Sequence, residues 1–297
     1  MIPQNEEILK QAFVIAKKVK AKAIFIHIDP LENLKFTGKI PKNIKIFLIG
    51  KRKSAENLPE GENSLALCSK ALLSIPKINM TRIGIIKVAI TLALSADHIS
   101  RGDKAVFVVG SQEIGTLDHI QIIDTQQESE IVTGKSIVGL SENVRPEVFQ
   151  AVLSLSIELA NKGREGKPIG TIFVVGDHEK VMQLSKQMII NPFKGYDEEE
   201  RNILAPSLKE TIREFSAMDG AFVISDSGIV LTAGRYLGAT SESATLTQGL
   251  GSRHIAAAGI TALTKAIAFV ISESSGDVRI FKNGKSIMEI EKAPTRK

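Results

Sequence analysis

Short, almost wholly apolar runs alternate with segments of helical periodicity through the first half of this 297-residue chain. Residues 23–28 read Ala-Ile-Phe-Ile-His-Ile, and similar runs occupy 44–49, 104–109 and 119–123. A strand that is apolar on both faces must be covered on both faces. The pattern therefore predicts a parallel sheet between helix layers, a small doubly wound α/β domain. Helices are predicted at 6–20, 62–73 and 82–99. The runs end in Asp29-Pro30, Gly50, Gly110-Ser111 and Asp124, where such folds place ligands. Neither a Gly-rich dinucleotide fingerprint nor a Gly-Lys-Ser/Thr loop stands there. We expect residues 1–127 to serve regulation or assembly. On pattern, their topology resembles the C-terminal α/β domain of pyruvate kinase.

Residues 126–144 are polar and weakly periodic, and the second domain is expected to span 128–291. It opens on a predicted helix at 145–162, with Val148, Val152, Leu155 and Leu159 on one stripe. A turn at 163–167 leads to a strand at 169–175. Helices are predicted at 181–188 and 198–216. Strands are predicted at 221–225, 228–233, 268–272 and 278–281. Asn283-Gly284 is a strong hairpin signal with a partner strand at 286–290. The mixed order predicts a mixed sheet flanked by helices. The polar tail 292–297 is expected to be disordered.

Composition removes several classes of function. Cys68 is the only cysteine, which excludes an intrachain disulfide framework or cysteine-based zinc site and suits a reducing cytoplasm. The start of the chain lacks a basic segment followed by an apolar run, so a signal peptide is not expected. No apolar run reaches the roughly 20 residues of a membrane span. There is no Trp and only two Tyr, which argues against a partner that stacks bases on aromatics. The net charge of +5 lies in the first half: residues 1–129 carry 18 Lys and Arg against 13 Asp and Glu, and the remainder carries 20 of each. Lys51-Arg52-Lys53 and Lys17, Lys18, Lys20 and Lys22 read as solvated surface.

The chemistry concentrates in three segments. Residues 249–258 read Gly-Leu-Gly-Ser-Arg-His-Ile-Ala-Ala-Ala. The Ala-rich run is a strong helix former, which makes Ser252 its expected N-cap. Backbone N–H groups, a hydroxyl and a guanidinium at one helix N-terminus favour phosphate. Met218-Asp219-Gly220-Ala221 sets an acid and two small residues before a strand. Ser272-Glu273-Ser274-Ser275-Gly276-Asp277 follows another strand. Singly, each has a plain structural explanation: a turn acid, a satisfied helix-end histidine, a hairpin loop.

Together and in this order, they resemble the motifs of the diadenylate cyclase family. Its Asp-Gly-Ala corresponds to Asp219-Gly220-Ala221. Its Gly-Thr-Arg-His-Arg-Ala-Ala corresponds to Gly251-Ser252-Arg253-His254-Ile255-Ala256-Ala257. Its Ser-Glu-Glu corresponds to Ser272-Glu273-Ser274. Gly163-Arg164-Glu165-Gly166-Lys167-Pro168-Ile169-Gly170-Thr171-Ile172-Phe173 and Asn191-Pro192-Phe193 support the likeness, which covers about 130–291. The pyruvate-kinase-like first domain points to the archaeal branch. Two positions depart from the pattern, Ile255 for Arg and Ser274 for Glu.

The resemblance implies an enzyme that condenses two ATP into cyclic di-AMP, a second messenger, and two diphosphates. It implies Asp219, Arg253 and His254 as catalytic residues. Gly220, Ala221, Leu237, Gly251, Ser252, Arg253, His254 and Ser272 would bind ATP. Asp219 and Glu273 would hold Mn²⁺ or Mg²⁺. Ring closure needs two ATPs face to face, hence a homodimer or higher homo-oligomer. The alternative is an inactive relative that senses ATP or cyclic di-AMP.

Overall fold

The computed structural model describes residues 2–41, 43–51, 65–127, 143–238 and 251–292. The chain divides into two compact units, Met1–Glu130 and Ile131–Lys297. The expected linker core at 128–142, Arg52 and Lys53, most of the polar loop before Gly251, and the tail from 293 lie outside the described residues.

The first unit carries helices α1 (Pro3–Lys18), α2 (Leu65–Cys68) and α3 (Arg82–Ser95) and strands β1 (Ala23–His27), β2 (Lys45–Lys51), β3 (Ser69–Ile75), β4 (Lys104–Ser111) and β5 (Thr116–Asp124). Their order in the sheet is β3-β2-β1-β4-β5. Alternation splits β1 between two cores. Ile24 and Ile26 meet Leu9, Ala12 and Phe13 of α1, while Phe25 stacks between Phe47 and Phe107 on the other face, at 5.0 and 4.6 Å. Thr81 caps α3 by accepting from the Gly84 N–H. Gly84 through Ser95 of that helix are all buried, which accounts for its nearly continuous apolar sequence.

Two expectations for this unit are corrected. The sheet is mixed: β5 runs antiparallel to β4, because the short turn at 112–115 cannot carry the chain back to the far end of the sheet. Of the helix predicted at 62–73, residues 62–64 lie outside the described residues, and among the rest it is confined to the turn at Leu65–Cys68. Its remainder pairs with β2 as β3, so tertiary pairing overrides the helix propensity of a Leu- and Ala-rich segment.

The second unit contains α4 (Pro146–Lys162), β6 (Thr171–Val175), α5 (His178–Gln183), β7 (Ser185–Gln187), α6 (Leu208–Phe215), β8 (Ala221–Ile224), β9 (Val230–Leu237), α7 (Ser252–Leu263), β10 (Ile267–Ile271), β11 (Val278–Lys282) and β12 (Lys285–Ile290). The sheet order is β12-β11-β10-β6-β8-β9-β7. Within it β6 and β8 are parallel, and every other pairing is antiparallel. The sheet lies between two helix layers. Ala257, Ala258 and Ile260 of α7 pack with Ile172, Val174, Ala221, Val223, Ala268 and Val270. On the opposite face Phe149 of α4 meets Phe269 at 5.2 Å and Phe173 meets Phe222 at 5.0 Å. Bulky aromatics thus fill one layer, and alanines let α7 approach closely on the other.

Both turn signals hold. Asn283 and Gly284 have φ of 51° and 74° and join the pair Lys282 and Lys285, as a tight hairpin requires. Glu165 and Gly166 also have positive φ, and Arg164 and Lys167 exchange both backbone hydrogen bonds around them. Three helix expectations are corrected. The segment 181–188 divides into the end of α5 and the edge strand β7. The segment 198–216 is helical only over Leu208–Phe215, immediately after Pro206, whose ring cannot continue a preceding helix. Gly251, not Ser252, is the N-cap of α7, and no side chain caps it. Ser252 is the first helical residue.

Candidate active site

The register of the sheet assembles the site. Ile271 at the end of β10 pairs with Thr171 at the start of β6, so the 272–277 loop lies beside Gly170. Ala221 starts β8 opposite Ile172, which brings Asp219 and Gly220 to the same end. The start of α7 delivers Arg253 there. Its Nη1 donates to Glu273 Oε2 at 3.0 Å, and its Nη2 lies 3.8 Å from Asp219 Oδ1. One residue from each of the three motifs thus meets at a single guanidinium.

Gly170 makes room for this meeting. A Cβ there would lie 2.6 Å from Arg253 Nη1 and 2.9 Å from Glu273 Cβ. The sequence reading quotes Gly170 within its supporting pattern without assigning it to the site. The signal available was a glycine immediately before a buried strand, where a close approach is common.

The cluster opens to solvent, with Asp219 88% and Glu273 60% exposed against 35% for Arg253. Ion pairs this exposed contribute little to stability, so their convergence is better read as readiness for a ligand. No group of three or more His, Cys, Asp and Glu able to hold a metal occurs among the described residues. Two carboxylates with open coordination suit a hard divalent cation that takes its remaining oxygens from phosphate and water.

The other expected residues distribute around this core. Gly220 has φ of +100°, and a Cβ on it would lie 2.6 Å from the backbone of Gly234 and Arg235. Strand β9 thus uses its small size, in the fold itself. Ala221 and Leu237 are buried in the α7-facing core. Gly251 has open space around it, and Ser252 is exposed beside it. Ser272 Oγ lies 3.2 Å from Ser274 Oγ, with either able to donate. Its backbone holds the loop: the Ser272 N–H donates to the Asp277 carbonyl, and its own carbonyl accepts from Gly276.

His254 is directed elsewhere. Its ring is buried against Phe281, 6.0 Å between centroids, and neither ring nitrogen has a hydrogen-bond partner. Burial, chiefly, and the Arg279 guanidinium next hold the imidazole below its ordinary pKa of 6.5. It is therefore neutral near pH 7. The structure brings together Asp219, Arg253 and Glu273, and it does not join His254 to them by any polar contact.

A cavity of about 710 Å³ lies at the opposite end of the same two parallel strands, lined by Arg145, Asp177, His178 and Lys265 among others. None of the expected site residues lines it. The cavity joins none of the three motifs.

The chain is similar to known proteins over the stretch that holds the three motifs. Residues 158–286 match the family described as DAC, DisA bacterial checkpoint controller nucleotide-binding. The protein named diadenylate cyclase of Methanocaldococcus jannaschii is 38% identical over 208 residues, covering 70% of this chain. That of Haloferax volcanii is 39% identical over 180 residues, covering 60% of this chain. The match spans 66% of the length of each relative. Among solved structures, a double mutant of DacA from Staphylococcus aureus is similar at 25% identity and a TM-score of 0.33, covering 49% of this chain and 87% of that one. The Asp-Gly-Ala, Arg-His and Ser-Glu segments that meet in one place all lie within residues 158–286, which form a domain of the diadenylate cyclase (DAC) family.

Proposed function

We propose that the chain condenses two ATP molecules into cyclic di-AMP and two diphosphates. The observation that carries this reading is the single guanidinium of Arg253 held between the carboxylates of Asp219 and Glu273 at an open edge. Without ligand, Arg253 balances one of two acids. With a nucleotide present, Arg253 turns its fork of donors to phosphate oxygens, and the carboxylates are released to a divalent cation. Mn²⁺ or Mg²⁺ held by Asp219 and Glu273 would neutralise polyphosphate charge and favour the ionised 3′-hydroxyl.

The reaction is an in-line displacement. The 3′-oxygen of one ATP bonds to the α-phosphorus of the other, the bond to diphosphate breaks, and the hydroxyl proton leaves. Asp219, the more exposed carboxylate, is placed to receive that proton. Arg253 stabilises charge on the phosphate as it develops. His254, neutral and buried, supports the start of α7 from beneath. It is not positioned to exchange a proton with the nucleotide.

One protomer presents one such cluster, and ring formation needs two nucleotides. A two-fold pair of protomers, face to face, is the active unit. The first unit then serves assembly or regulation, and its sequence pattern supports a likeness to the C-terminal domain of pyruvate kinase. A single reduced cysteine and the lack, among the described residues, of any helix long and apolar enough to cross a membrane fit action in the cytoplasm.

The test is incubation of the purified full chain with ATP and Mn²⁺, followed by separation of nucleotides. Cyclic di-AMP is the expected product, with a rate that rises faster than linearly with protein concentration while dimers form. ATP bound and recovered unchanged would assign the protein to nucleotide sensing instead.

A further inference from the structure

Arg235 is a buried charge of the second unit. It lies in β9, is 9% exposed, and forms no ion pair among the described residues. Its guanidinium bonds neutral oxygens: Nε to Ser185 Oγ at 2.8 Å, Nη2 to the carbonyls of Met182 at 2.9 Å and Ser185 at 2.6 Å, and Nη1 to Gln187 Oε1 at 3.4 Å. The hydrogen bonds are satisfied and the charge is not. Buried cations are generally paired with an anion because desolvation is costly. Burial alone pushes the guanidinium pKa down, although arginine keeps its proton at any physiological pH.

Register places the backbone that carries this charge beside the Asp-Gly-Ala segment. Arg235 pairs directly with Ala221 in the β8–β9 ladder, so both side chains share the face on which α7 packs. The backbone of Gly234 and Arg235 lies against Gly220. A uniform tether between β9 and β7 would need only neutral donors. Gln187 already supplies them, through Nε2 to the Ala233 carbonyl at 2.6 Å.

We infer that Arg235 is a positioning residue whose buried, uncompensated positive charge is neutralised by the polyphosphate of a nucleotide bound at the Asp219–Arg253–Glu273 cluster. The inference rests on the nucleotide-binding reading above. It acts through the field, without contact to the reacting atoms.

The experiment titrates the full-length protein with an ATP analogue bearing a methylene α,β-bridge, by calorimetry with Mn²⁺ present. Three variants are compared with the wild type. Arg235→Met removes the charge and is expected to weaken binding about tenfold, the order of effect of one buried unit charge acting through the protein. Arg235→Lys keeps the charge, loses the fork, and should bind within about threefold of wild type. Ser185→Ala removes one neutral acceptor without touching the charge and should bind like wild type. It also decides the matter if Arg235→Met fails to fold, because a tether predicts weakened binding in Ser185→Ala and in Arg235→Lys alike. Equal losses in Arg235→Lys and Arg235→Met, or a loss in Ser185→Ala, overturn the inference. So does unchanged affinity in Arg235→Met. A wild type that binds no analogue overturns the nucleotide reading together with it, whereas a binding wild type with an indifferent Arg235→Met overturns this inference alone.

Discussion

Replacing Gly220 by alanine tests whether the small residue of the Asp-Gly-Ala motif serves the ligand or the fold. The backbone at Gly220 has φ of +100°, a region that side chains rarely enter, and forcing alanine there costs roughly 1–3 kcal/mol. The new Cβ would also sit 2.6 Å from the Arg235 nitrogen and the Gly234 carbonyl carbon. These are backbone atoms of a paired strand and cannot rotate aside, so overpacking adds about 1–3 kcal/mol. The sum is roughly 2–6 kcal/mol. Gly166 is the control. Its φ is +75° with nothing within 4 Å, so Gly166→Ala should cost only about 1–2 kcal/mol. Urea denaturation of the full chain, followed by circular dichroism and fitted for the second unit's transition, measures both. Thermal midpoints should fall by about 2–4 °C for each kcal/mol in a unit of this size. A Gly220→Ala variant within about 0.5 kcal/mol of Gly166→Ala, the usual range of an unremarkable surface substitution, would refute the steric reasoning and return Gly220 to a ligand role.

Gly170→Ala should displace the Arg253 guanidinium and lower the cyclisation rate roughly 10- to 100-fold, about the loss of one aimed donor, while the urea midpoint moves little; an unchanged rate would show that the guanidinium moves aside freely. Asp219→Asn should abolish product formation with the circular dichroism spectrum intact, and near-normal turnover removes Asp219 from the chemistry. Arg253→Ala should raise the dissociation constant for ATP about tenfold, the weight of one charge-assisted hydrogen bond, and unchanged affinity contradicts its phosphate role. His254 carries a pH signature. Its folded pKa is depressed below the unfolded value of 6.5, so the unfolded chain binds more protons in acid and the stability from keeping it neutral is lost as pH falls below about 6.5. His254→Leu should flatten the stability profile between about pH 7 and pH 5, as seen in urea midpoints, and a profile parallel to wild type excludes His254 as its source.

The parts legible in sequence were those governed by local rules. Asn283-Gly284 admitted one kind of turn, and the buried runs at 23–28 and 171–175 could only be interior strands. Where two elements compete for one segment, the outcome depends on neighbours distant in the chain. Residues 69–75 have helical composition and become a strand because β2 offers an edge. Ser185–Gln187 leaves its helix for the same reason at β9. Asp219, Arg253 and Glu273, which the fold brings together, were singled out as a set only through their likeness to family motifs, since no periodicity ties positions 219, 253 and 273. Gly170 and Arg235 escaped notice because their significance lies in what they face across the sheet. The rotation of the His254 ring into the core beside Phe281 was equally invisible, as a helix start allows either direction.

The alanines of α7 set a mechanical limit on the charged cluster. Ala257 and Ala258 lie in the core over β6 and β10, one turn along the helix from Arg253. A larger side chain there would act as a wedge under a lever, tilting the rod and swinging its tip. The reach of the arginine is thus calibrated by methyl groups of the core, and drift in this unremarkable stretch would displace the charged cluster as surely as a change within it.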